Sequence, residues 1–193
     1  MNFFNRTFDD NKVANFNAVL NVDFSNEDAD EPVTLSEAKK QCIIEDDETY
    51  WDDTIKTMIT TARMQCENYS GLSLINRTVK AHLNNSCGKI YLPYGPVKHG
   101  GGSNSDSDEV VQGLDNEGDG IDICVGGGQF PQLDTVRSDV YLVYNTGYGI
   151  LPQNLKQAIL QQVLYLYEHR GDETGNATLS PMAKTILKPL MRK

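Results

Sequence analysis

The stretch EDDETYWDDTIKTMITTARMQCENYSG constrains this chain more than any other. Within it, Trp51, Ile55, Met58, Ile59, Ala62, Cys66 and Tyr69 recur at spacings of three and four, which draws one apolar stripe along a helix from about Asp47 to Gly71. Asp46 and Asp47 are expected to cap its free N–H groups, and Glu48, Asp52 and Asp53 suit the positive end of its dipole. Gly71 stands where a helix stops in a left-handed cap. Such a helix spans roughly 35 Å, about the width of a small domain. It is a spine, and its stripe demands partners from the rest of the chain.

Length and composition limit what those partners are. The 193 residues allow one domain with a sizeable core, with or without arms. A hydrophobic content of 39% and a mean hydropathy of −0.45 leave a large share to loops and tails. No apolar run approaches the roughly 18–20 residues of a membrane span, and MNFFNRTFDDNK lacks the order of a signal peptide. The expectation is a protein made and kept in a cytoplasm. Cys42, Cys66, Cys87 and Cys124 include no CxxC pair, and Cys42 and Cys66 fall on helical apolar faces, where a thiol acts as a small hydrophobe. The net charge of −10 suits poorly a protein that grips nucleic acid, which takes Lys and Arg facing phosphates. It serves solubility, and it suits a surface that DNA passes without sticking.

Residues 1–31 have no steady period; Phe3, Phe4, Phe8, Phe16 and Phe24 lie among asparagines and acids, ending in the acidic linker SNEDADEP. So many phenylalanines favour an arm that orders against a neighbouring subunit over a solvated leader. The domain opens at Pro32, with Thr34-Leu35-Ser36-Glu37 as a capping box and Val33 placed to staple onto Ala38. A short helix over 34–42 then turns into the long one. An extended segment over 74–83, the turn 84–88 and a returning strand Lys89–Leu92 follow, closed by Pro93-Tyr94-Gly95-Pro96. Residues 98–108 read as a flexible loop. Short strands are expected at Glu109–Gln112, Ile121–Val125 and Asp139–Tyr144, the last covered on both faces, with turns between them. Pro152 opens a helix over 152–170 whose core face carries Leu155, Ala158, Ile159, Val163, Leu166 and Tyr167. Leu160 and Leu164 point elsewhere, so that girth meets other helices of the subunit or another subunit. A polar spacer leads to a basic amphipathic tail, PMAKTILKPLMRK.

The catalytic inventory is thin. His82, His99 and His169 are scattered, and no serine or cysteine sits in an activated-nucleophile motif. Asp115-Asn116-Glu117-Gly118-Asp119-Gly120 resembles the front of a calcium loop but has Glu at the third metal position and Gly126 where a bidentate Glu is needed. A hairpin turn is the better reading. A calcium-dependent binding module using the aspartates of 106–122 stays as the alternative from another class.

One ordered set of motifs stands out: PVTLSEAKKQC, the acidic turn and long helix ending in NYSG, then IYLPYGPV, then VYLVYNTGYGILPQNLKQAILQQVLYLYEHRGD, and finally ILKPLMR. In order and spacing over residues 32–172 they resemble the head–tail connector (adaptor, or head-completion) family of tailed double-stranded DNA phages. The turn Leu92, Pro93, Tyr94 and Pro96 is part of that likeness. The resemblance implies a mainly α fold, a small helical bundle with an attached antiparallel β-hairpin region, α+β overall. It implies a structural protein, not an enzyme, without cofactor or metal: a homo-oligomeric ring of twelve copies on the portal vertex, joining head to tail and extending the DNA channel. Its partners would be the portal protein, the next neck or tail protein, and double-stranded DNA passing through without specific binding, with no membrane. The location would be the virion neck, after assembly in the host cytoplasm. Lys184, Lys188, Leu190, Arg192 and Lys193 are the implied portal contacts, and Leu160, Leu164 and Tyr167 the candidate contacts between subunits. Domains would then be an arm over 1–31, a connector domain over 32–172 and a C-terminal arm over 173–193. Acids facing a lumen would repel phosphates over a screening length of about 8–10 Å. The 1–31 extension and the glycine-rich 98–128 region depart from the family pattern. A stopper or tail-completion protein of the same neck is the nearest alternative.

Overall fold

The computed structural model describes residues 18–25, 30–84, 88–98, 111–114, 118–121, 124–125, 130, 132–135, 139–171 and 178–191. The chain divides into two compact units, a β unit containing 77–146 with the N-terminal strand, and an α unit containing 28–76 and 147–193. The fold class is α+β.

In the α unit, Thr34 begins α1 (Leu35–Gln41) with a complete capping box: its hydroxyl accepts from the Glu37 N–H at 3.3 Å, and the Glu37 carboxylate accepts from the Thr34 N–H at 3.0 Å. Lys39 follows on the buried side of α1, and its ammonium shapes the next turn. It donates to the carbonyls of Asp46 at 3.2 Å and Glu48 at 2.7 Å, and pairs with the Asp52 carboxylate at 2.5 Å. The chain over 43–51 therefore wraps a cation instead of continuing as helix. This corrects the expected start at Asp47. Helix α2 is Asp52–Ser70, and its N-cap is Trp51, with no side-chain hydrogen bond. Asp46 does not cap it, because one of its carboxylate oxygens is taken by the Ser36 hydroxyl.

From there the stripe behaves as its period dictates. Ile55, Ile59, Ala62 and Cys66 are buried, and Gly71, at φ 71°, ends α2 in a left-handed cap. They pack on Leu155, Ala158, Ile159, Val163 and Leu166 of α3 (Gln153–Glu168), with Ala183 and Leu187 of α4 (Pro181–Leu187) closing the cluster. Each large aliphatic side chain buried this way contributes about 1.5–3 kcal/mol. The Gln162 amide, fully buried, links three segments: it donates to Gln65 on α2 at 2.6 Å and accepts from the Ser180 N–H at 2.7 Å. The Ser180 hydroxyl in turn caps α4.

Buried charge in this unit is paired. The Glu67 carboxylate accepts from Arg63 at 2.9 Å and from the Leu74 N–H at 2.7 Å, while Glu31 accepts from Arg63 at 3.0 Å and from Thr60 at 2.9 Å. Removing one partner would leave the other charged and dry. Gly147, at φ 118°, runs so close to Ile75 that a Cβ would stand 2.3 Å from the Ile75 carbonyl oxygen.

The β unit holds a five-stranded antiparallel sheet in the order β1-β2-β8-β4-β5 and a three-stranded sheet in the order β3-β7-β6. The strands are β1 Ala18–Ser25, β2 Arg77–Asn84, β3 Gly88–Tyr91, β4 Val111–Leu114, β5 Gly120–Ile121, β6 Cys124–Val125, β7 Gln132–Thr135 and β8 Asp139–Thr146. Val79, Ala81, Val111, Val140, Leu142 and Tyr144 share its core with Leu92 and Val97. Three expectations change here. Part of the N-terminal arm, β1, is an edge strand of its own chain's sheet, because Val22 and Phe24 lie along β2 in register with Ala81 and Val79. The segment after the 84–88 turn does not return beside β2, since β3 pairs with β7 in the other sheet. In β8 only the face bearing Val140, Leu142 and Tyr144 is buried, whereas Tyr141 is 37% exposed. The calcium-like sequence joins β4 and β5, which pair antiparallel as a hairpin.

Candidate assembly interface

The residues proposed from sequence fall into three places. Leu92, Pro93, Tyr94 and Pro96 form a turn used inside the β unit: Leu92 and Pro96 are buried, and the Tyr144 hydroxyl donates to the Pro93 carbonyl. The Tyr94 ring meets Phe24 edge-on at 5.1 Å, and the Arg77 guanidinium lies 3.8 Å over Phe24 and 5.3 Å over Tyr94. This turn locks β1 and β2 together.

Leu160, Leu164 and Tyr167 follow one another on α3 at i, i+4 and i+7 and share a half-buried face that packs partly on the helical core. Tyr167 also has partners within its own unit, with Trp51 edge-on at 6.3 Å and the Arg170 guanidinium 4.4 Å over its ring. Lys184 and Lys188 are exposed, and Leu190 is half-buried against the helical core. Arg192 and Lys193 lie outside the described residues, as do residues 1–17 with four phenylalanines, His99, and the aspartates at 106, 108 and 115. Residues 178–191 contain no acid, so the charges this segment itself carries are all positive, on an acidic chain.

Two surface features escaped the sequence reading. The first is an open groove of about 400 Å³ between α3 and α4, lined by Leu164, Tyr165, Pro181 and Met182 with Gln161, Glu168, Ser180 and Thr185. It needs the exact placement of α4, which no period reveals. The second is the α1–α2 loop. Ile43 occupies a left-handed φ of 58° and is 94% exposed, and Tyr50 is 80% exposed. Its signal was in the sequence: an isoleucine stands just past the end of α1, where glycine is the favoured residue.

Burial pushes the Cys66 thiol up to about 12 and the Cys42 thiol up to about 11, so both stay protonated at neutral pH. The hydrogen bond from Lys156, at 2.5 Å, and then that of the Thr34 N–H hold the Glu37 carboxyl below its ordinary value. Tyr165 and His169 stack at 4.1 Å at the end of α3, and His82 stacks on Tyr141 at 4.1 Å. Among the described residues, no group of three or more His, Cys, Asp or Glu is placed to hold a metal ion, and no helix is long and apolar enough to cross a membrane.

No family model and no curated protein matches this chain. Solved structures do. One is a chain of the neck of an empty gene transfer agent particle, computed with C6 symmetry. It aligns at a TM-score of 0.66 and 14% identity over 90% of this chain and 96% of its own. The fold is shared. A chain from the virion of the native particle aligns at 0.61 with 16% identity over 84% of this chain and 90% of its own. A third, from the native neck computed with C12 symmetry, aligns at 0.58 with 17% identity over 86% and 95%. At these coverages the likeness extends over residues of both units.

Proposed function

We infer that this chain is a structural subunit of the neck of a phage or phage-like particle, acting as a head–tail connector. Copies form a ring of twelve on the portal vertex that extends the DNA channel and offers a surface to the next neck or tail protein. The observation that carries this reading is the nearly end-to-end match, 90% of this chain and 96% of the other, to a chain from a gene transfer agent neck. The ordered connector-like motifs over 32–172 agree with it. So does the acidic charge, which favours a channel wall over a nucleic-acid grip. The reaction chemistry is none: the work is geometric.

In this reading the half-buried face of Leu160, Leu164 and Tyr167 contributes to contacts between subunits, and the basic segment carrying Lys184, Lys188, Leu190, Arg192 and Lys193 meets an acidic surface of the portal. Deleting residues 180–193 would be a poor test, because Ala183 and Leu187 are part of the helical core. Reversing the two exposed lysines, Lys184→Glu with Lys188→Glu, leaves that core alone. Light scattering and native mass spectrometry of the chain, alone and mixed with the portal of the same particle, test the reading. About twelve copies per assembly supports it. A monomer that ignores the portal overturns it in favour of a stopper elsewhere in the neck. The lysine pair should lower portal affinity at least tenfold, and unchanged affinity removes the basic segment from the interface.

A further inference from the structure

The exposed isoleucine is the least explained residue of the α unit. At the C-terminus of α1 the Ile43 N–H donates to the Lys40 carbonyl at 3.2 Å and the Ile44 N–H to the Lys39 carbonyl at 2.9 Å, so Ile43 occupies the left-handed cap position. Glycine takes that position without strain, whereas a β-branched side chain is strained there. Burial does not repay the strain, because the side chain is 94% exposed. Nor is the loop slack. The buried Lys39 ammonium gathers the Asp46 and Glu48 carbonyls and the Asp52 carboxylate, and the Tyr50 ring stands edge-on to Trp51 at 4.9 Å. The loop thus exposes two large apolar side chains, Ile43 and Tyr50, with the exposed acids Glu45, Asp46, Asp47 and Glu48 between them in the chain.

The complementary feature, a recess, lies between α3 and α4 of the same unit. Lys156 and Tyr167 of α3 face α1 and Trp51, as the Lys156–Glu37 pair and the Trp51–Tyr167 contact show. Gln161, Tyr165 and Glu168 line the groove shared with α4. At about 100° per residue Gln161 and Tyr165 stand well around α3 from Lys156 and Tyr167, while Leu164 is only about 60° from Tyr167, so the groove opens beside the face turned to Trp51. The groove offers Leu164, Tyr165, Pro181 and the 57% exposed Met182, with Lys184 further along α4, Lys188 just past its end and one acid, Glu168, in its lining.

We propose that the α1–α2 loop of one copy docks into the α3–α4 groove of the next, with Ile43 and Tyr50 entering the apolar floor and the acids between them meeting Lys184 and Lys188. A projection and a recess are two different surfaces, so their contact is head-to-tail, the kind that closes into a ring when the rotation between copies allows it. The occupant of the groove is a second copy of this chain. This inference rests on the ring reading above and names the surfaces that would build it.

Ile43→Gly separates the interface from the fold. Glycine relieves the left-handed cap, so the dissociated variant should melt at or above the wild-type temperature while assembly, read by sedimentation over a concentration series, weakens at least tenfold. Met182→Glu should weaken it similarly from the other side. The pair Ile43→Cys with Met182→Cys should give a ladder of cross-linked chains under mild oxidation that neither single variant gives. A ring of wild-type affinity in Ile43→Gly together with no ladder from the cysteine pair overturns the docking and leaves the ring reading standing. A wild-type chain that never assembles, alone or with the portal, overturns both.

Discussion

The α unit closes its core with helices whose apolar faces are written in local periods, and it seals charge inside: Lys39, Arg63 and Glu67 are all buried and all paired. The β unit closes its core by pairing segments far apart in the chain, such as β2 with β8 from Arg77↔Thr146 to Asn84↔Asp139, and its one buried cation among the described residues, Arg77, lies over two aromatic rings. The two units therefore fail in different ways. Loss of a polar partner strands a charge in the first, while loss of a ring contact loosens an edge in the second.

Substitutions sharpen that contrast, and the largest effect belongs to backbone packing. Gly147→Ala would force a Cβ to within 2.3 Å of the Ile75 carbonyl oxygen at φ 118°, and should cost more than about 3 kcal/mol, read as loss of soluble protein or a collapsed denaturation midpoint. Glu67→Ala should cost about 3 kcal/mol, since it takes one carboxylate from the buried Arg63 and the acceptor from the Leu74 N–H. Arg77→Ala should cost only about 1–2 kcal/mol, with faster amide exchange confined to β1 and β2. Equal losses from Glu67→Ala and Arg77→Ala would break the comparison. Thr34→Ala, which removes the hydroxyl half of a capping box, should cost about 1 kcal/mol in chemical denaturation.

The smallest effect is one of pH. Glu37 is held below its ordinary value of 4.5 in the folded chain, so its pairing with Lys156 stabilises above that value and is lost as pH falls through the lowered one. The carboxylate is 38% exposed, so solvent screens the pair. Glu37→Gln should flatten the acid limb of the thermal-stability profile slightly and leave the neutral region nearly parallel to wild type.

The same contrast explains what could be read in advance. Residues 55 to 66 of α2, the Gly71 cap and the Thr34 box follow from spacing and local chemistry, so they were visible without coordinates. The start of α2 was not, because Asp46 and Asp47 look like caps until Lys39, seven and eight residues away, claims the turn. The sheet order was hidden for a related reason: nothing in Lys89-Ile90-Tyr91 says that it pairs with Gln132–Thr135 and not with the preceding strand. Of the candidate interface, the basic segment and the α3 face were legible as composition and period. The groove and the strained Ile43 emerge only when α4 and the loop have positions.

Gly147 has a consequence beyond stability. Its backbone lies against Ile75, and one or two residues further along the chain Arg77 and Thr146 are paired across β2 and β8. The chain thus leaves the α unit and comes back to it at one narrow gate, with some seventy residues threaded between. Such a gate makes residues 77–146 a cassette: swapping them for a short turn, with the N-terminal strand that pairs on β2 removed as well, would ask little of the helices. It also offers a natural joint at which a lineage of such proteins could exchange the sheet-bearing part, and whatever it touches, without rebuilding the helical part.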